Sequence, residues 1–129
     1  MTTLLLRLRG LMRRALPVMF AAMVLLVTLL MLVELAPSHG GWPYWDKVQH
    51  LLVFAMLTTL GCLAFPLHQR AVCLVLILYG GLIEWLQGAL TITRMASFGD
   101  WFADGVGVLV MWVCFWMLKR LTAKNLTPK

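Results

Sequence analysis

Four apolar stretches, about 16–35, 48–65, 71–90 and 101–118, are separated by clear breaks. Each is close to the roughly 20 residues that a helix needs to cross about 30 Å of hydrocarbon. The breaks read "APSHGGWPYWDK", "PLHQR" and "TITRMASFGD". Pro66 lacks the N–H that a continuing helix would use, so it marks the end of the second stretch. No water is available inside a bilayer to satisfy a bare backbone, so apolar runs of this length cross it as helices. The expected fold class is an all-α membrane protein, a bundle of four transmembrane helices.

Composition agrees. The chain is 62% hydrophobic and 12% charged, with a mean hydropathy of +0.89. Soluble domains are nearer half apolar and about a quarter charged. A length of 129 residues suggests one domain. The net charge of +6 does not point to nucleic acid, because the basic residues gather at the two ends and in one short loop. Arg7, Arg9, Arg13 and Arg14 precede span one, Arg70 lies between spans two and three, and Lys119, Arg120, Lys124 and Lys129 follow span four. The other two loops carry one basic residue each, Lys47 and Arg94. The excess of Lys and Arg beside cytoplasmic segments implies both termini inside, N-in/C-in. Trp42, Tyr44, Trp45 and Trp101 would then stand in the outer aromatic belt.

Three parts of the chain follow from this reading. Residues 1–15 form a basic segment, in which Leu4, Leu5, Leu8, Leu11 and Met12 share one helical side and suggest a short helix lying on the inner leaflet. Residues 16–118 form the four-span domain, and 119–129 a basic tail. The first span is too long for a signal peptide and lacks a small-residue cleavage site after it, which implies an uncleaved anchor. Cys62, Cys73 and Cys114 all lie in apolar runs and read as packing residues, with no zinc or disulfide spacing.

On this topology the polar residues of the spans share one level. Glu34 closes span one. Asp46, Lys47 and His50 open span two. Glu84 and Gln87 lie near the end of span three, Arg94 and Ser97 in the following loop, and Asp100 and Asp104 open span four. Asp46 with His50, and Asp100 with Asp104, are each four apart, one helical turn; Glu84 and Gln87 are three apart and share a face. Ionisable residues within a membrane normally face the bundle interior and a partner. Gly80, Gly81, Gly88, Gly105 and Gly107 allow close helix approach nearby.

Several chemistries fit these residues. Asp46, Asp100 and Asp104 can cap helix N-termini. Glu84 needs a partner, for which Arg94 and His50 are the candidates. Asp46 is expected to cap span two and lie beside His50, with Lys47 pointing away toward headgroups. Arg94 and Lys47 suit an anionic group, and the acidic residues a polar or basic one. His50 or Glu84 can act as a general base. The layer also offers oxygen and nitrogen ligands, with Mg²⁺ or Mn²⁺ ahead of zinc. It has one histidine besides the loop residue His39 and no HExxH, so the sequence assigns neither metal nor cofactor. Ser97 has no nucleophile elbow around it, and there is no phosphate-binding glycine loop.

The segments "DKVQHLLVFAMLTTL" and "YGGLIEWLQGALTITRMASFGDWFADGVGV" resemble the VanZ-like family. That family carries D-K-x-x-H-x-x-x-F, then E-x-x-Q, an arginine, a small polar residue and D-x-x-x-N-x-x-G. The matching residues here are Asp46, Lys47, His50 and Phe54, then Glu84, Gln87, Arg94, Ser97, Asp100 and Gly107; Asp104 stands where the family has Asn. The resemblance runs from Asp46 to the end of span four. It implies a small multispan protein of the bacterial cytoplasmic membrane, and the family's founding member is an accessory factor in resistance to the glycopeptide teicoplanin. The expected function is therefore binding of an amphiphile at an outward-facing polar pocket: a lipid headgroup, a lipid-linked envelope intermediate or a lipoglycopeptide. The alternatives are a membrane-embedded enzyme acting on an envelope lipid phosphate or ester, and an assembly or scaffold protein whose polar layer is structural.

Overall fold

In the computed structural model, residues 2–33, 42, 44–92 and 96–125 are described, without the side chains of 2–6, 8, 9, 124 and 125. Four helices follow in chain order: α1 (Thr2–Leu32), α2 (Trp45–Ala64), α3 (Gln69–Leu90) and α4 (Phe98–Asn125). Among the described residues there is no strand. Each helix contains a stretch long and apolar enough to cross a membrane: Gly10–Leu32, Trp45–Ala64, Gln69–Leu90 and Phe98–Ala123.

The expected short surface helix at 4–14 is not separate. α1 runs 31 residues from Thr2 through Pro17 to Leu32, so the basic segment continues directly into the first span. The leucines and methionines of this segment favour helix, and no Gly–Pro or polar turn interrupts them before the apolar run. The other spans also start earlier or end later than the apolar runs alone suggest, because polar residues such as Asp46 and Asp100 occupy first helical turns.

α2 is the central helix. It packs on all three others, and its interface with α4 is the most extensive. Among the described residues, α1 touches α2 and α3 but not α4. The core is apolar, built on Phe54, Leu57, Leu76, Ile83 and Val108. Tyr79 packs its ring 5.8 Å from that of Phe54. The same residue pairs its hydroxyl with that of Thr28 at 2.9 Å, tying α3 to α1. Leu25, Leu29, Leu74, Leu78, Leu109 and Val113 are exposed on the outside of the bundle, the surface that lipid would cover.

Small residues set the helix spacing, as expected, but not at every glycine. A Cβ on Gly107 of α4 would overlap the backbone carbonyl oxygen of Leu51 and lie 3.1 Å from the nitrogen of Ala55, both on α2. A Cβ on Gly80 of α3 would lie 2.7 Å from Oδ2 of Asp104. Gly105 has nothing within 4 Å and takes no part in close approach. Cys62 and Cys73 are buried and Cys114 is exposed; all three are free.

Candidate functional site

The chain brings its buried polar residues to one end of the bundle. His50 is five residues into α2, Glu84 six from the end of α3 and Asp104 six into α4. At 1.5 Å per residue all three stand about 7.5–9 Å below their helix ends. His50, Glu84, Gln87, Asp100 and Asp104 are all buried, and Asp104 is fully so.

The pairs cross between helices. His50 Nδ1 lies 2.9 Å from Asp104 Oδ1 and 3.7 Å from Glu84 Oε1. Glu84 Oε2 accepts the backbone N–H of Ser97 at 2.8 Å. Lys47 Nζ donates to Asp100 Oδ1 at 2.8 Å. Gln87 Nε2 donates to the backbone carbonyl of Met31 at 2.8 Å, which ties the end of α1 into the same layer. The described cluster thus draws on every helix.

Two polar atoms are left over. Among the described residues, Glu84 Oε1 and Asp104 Oδ2 are buried with no hydrogen-bond partner, although Glu84 Oε1 lies 3.7 Å from His50 Nδ1. Buried polar atoms are almost always satisfied, because an unsatisfied one costs about 1–3 kcal/mol, and more if charged. Two in a single cluster single out this layer among the described residues.

No family model, curated protein or solved structure matches the chain. The site is therefore interpreted from its own geometry.

That geometry corrects several expectations. Asp46 does not cap α2: the N-cap position is Tyr44, with no side-chain hydrogen bond, and Asp46 sits exposed in the first turn. Asp46 does lie beside His50, their donor atoms within 4.8 Å of each other, but the hydrogen bond of His50 Nδ1 goes to Asp104 on another helix. Lys47 does not stand free toward headgroups, because Asp100 holds its ammonium group. Asp100 does not cap α4 either. Ser97 does so: its Oγ accepts the N–H of Asp100 at 3.3 Å. The signal was present in S-F-G-D, a serine followed three residues later by an acid. The reciprocal contact of such a box is replaced here, since Glu84 takes the Ser97 N–H. Asp104 lies in the body of α4 and is a partner of His50, not a cap.

Glu84 does meet His50, one of its two expected partners. The other, Arg94, lies outside the described residues, as do Glu34 and His39. Trp42, Tyr44, Trp45 and Trp101 are at the same end as the cluster. Trp101 Nε1 donates to the Ile77 carbonyl at 2.9 Å, the amphipathic arrangement favoured at a membrane interface.

Chemically the layer is acidic. Among the described residues of the layer, the four carboxylates of Asp46, Glu84, Asp100 and Asp104 are set against one lysine, already paired with Asp100, and one histidine. Such a set attracts a cation, an amine or a hydroxyl donor more readily than an anion.

Proposed function

We propose that this is a VanZ-like protein of the bacterial cytoplasmic membrane, with both termini inside and the carboxylate–imidazole layer facing outward. In this reading it binds the polar head of an amphiphile at the outer leaflet and thereby modulates the cell envelope and its antibiotic susceptibility. The VanZ-like assignment rests on the motif residues. The binding role is carried by the two buried carboxylate oxygens, on Glu84 and Asp104, that lack hydrogen-bond partners among the described residues. They supply acceptors for an amine or hydroxyl, while exposed apolar helix faces beside them suit an acyl chain. Because Asp100 holds Lys47, recognition of an anionic group by Lys47 is not the leading contact.

A second reading is supported by the His50–Asp104 contact. A carboxylate on one imidazole nitrogen fixes the tautomer and leaves the other nitrogen as a base. The protein would then be an enzyme acting on an envelope lipid phosphate or ester, with His50 or Glu84 as the base.

Binding is tested with the full chain in lipid nanodiscs and teicoplanin as probe, beside a glycopeptide that lacks the acyl chain. The expected result is retention of teicoplanin alone, weakened about tenfold (1.4 kcal/mol) in Glu84→Gln. Equal retention of both compounds, or of neither, contradicts the reading. Orientation is tested separately by a reporter active only outside the cytoplasm. It should be silent when fused after Lys129 and active when inserted within 38–41, and an active C-terminal fusion would place the layer on the wrong face.

A further inference from the structure

We propose that His50, Glu84 and Asp104 form a binding site for one divalent first-row metal cation. The inference rests on the reading of this layer as the working centre and names a ligand class for it.

One donor atom from each of the three residues lies within 4.8 Å of the others, and all three residues are buried. The separations from His50 Nδ1 are 2.9 Å to Asp104 Oδ1 and 3.7 Å to Glu84 Oε1. A cation bonded at about 2.1 Å holds its ligands about 3.0 Å apart at right angles and about 3.4 Å apart in a tetrahedron. The observed separations bracket those values. A small closure around an ion would therefore suffice.

The second observation is independent of that spacing. Each carboxylate keeps one oxygen without a hydrogen-bond partner, although Glu84 is only 5% and Asp104 0% exposed. Of the two, Glu84 Oε1 is itself one of the closely spaced donors, and Asp104 Oδ2 is the second oxygen of the carboxylate whose Oδ1 is another; among the described residues hydrogen bonding leaves both over for a cation. Gly80 provides the room: a Cβ there would stand 2.7 Å from the unpartnered Oδ2 of Asp104.

Charge agrees. Two carboxylates and a neutral imidazole cancel a double positive charge, so the loaded site is neutral where burying net charge is most expensive. The metal would replace the proton between His50 Nδ1 and Asp104, with the imidazole in its Nε2–H form. One nitrogen and two oxygens suit Mn²⁺, Fe²⁺ or Zn²⁺ better than Mg²⁺, which prefers oxygen and water. His50 also belongs to a second set with Asp46 and Asp100, whose donor atoms again lie within 4.8 Å, and Asp46 is exposed.

The test uses the full chain in nanodiscs, stripped with chelator and titrated with Mn²⁺, with free ion followed by electron paramagnetic resonance. One ion per chain is expected. Glu84→Gln and Asp104→Asn should each weaken binding by about 100-fold or more, at unchanged helicity and elution volume. Bound Mn²⁺ should show nitrogen coupling from one imidazole, lost in His50→Gln; this readout stands even if a carboxylate variant misfolds. No stoichiometric Mn²⁺ or Zn²⁺ in the wild type, undiminished binding in folded variants, or absent nitrogen coupling would each overturn the site. If teicoplanin binding survives with no ion bound, the metal inference fails while the amphiphile reading stands. If the ion binds and teicoplanin does not, the reverse holds.

Discussion

Gly107→Val will largely remove the folded protein from the membrane. The glycine faces α2 so closely that a Cβ would overlap the Leu51 carbonyl oxygen and crowd the Ala55 nitrogen. Both are backbone atoms within a helix, so neither can rotate away as a side-chain tip could. α2 and α4 would have to separate along the most extensive interface of the bundle. Overpacking ordinarily costs about 1–3 kcal/mol. Here the relief must come from rigid helices, and a loss of about 3 kcal/mol or more is expected. Gly105→Ala is the control. It lies half a turn away with nothing within 4 Å, so its stability should stay within about 1 kcal/mol of the wild type. Membrane level and unfolding in mixed micelles measure both. Equal behaviour of the two variants would show that the α2–α4 distance is not set by Gly107.

The sequence shows some of this and hides the rest for identifiable reasons. The four spans are legible because the hydrocarbon width imposes a length on each apolar run. The shared level of His50, Glu84 and Asp104 is legible too, since alternating helices place the end of α3 beside the starts of α2 and α4. Partner choice is not. Spacing shows that Asp46 and His50 share a helix face, but not how α4 is rotated against α2, and that rotation gives His50 to Asp104. Lys47 is a similar case. Its position, about 100° around the helix from Asp46, suggests an outward lysine, yet the start of α4 brings Asp100 within 2.8 Å. The glycines show the same limit: Gly105 and Gly107 look alike in sequence, and only the approach of α2 separates them.

The largest effects inside the layer should follow from the His50–Asp104 pair, and they separate stability from function. Asp104→Ala leaves His50 Nδ1 buried without its acceptor and opens space where Asp104 is fully enclosed. Breaking a buried pair from one side costs about 3–5 kcal/mol. Membrane levels of Asp104→Ala should therefore fall sharply. His50→Gln is different. The glutamine amide is close in size to imidazole and can still donate to Asp104 Oδ1, so the bundle should keep its partnered carboxylate. What glutamine cannot do is offer a basic ring nitrogen to a proton, a metal or a ligand. The decisive measurement reads His50→Gln protein level and, as the readout of the proposed function, teicoplanin susceptibility from the same cells of a strain lacking the native chain, with the wild-type chain restoring resistance as the reference. Wild-type level together with the susceptibility of the empty strain is the result expected if the layer is the working centre. Wild-type level with full restoration of resistance would contradict it, making His50 a packing residue and the layer a structural one.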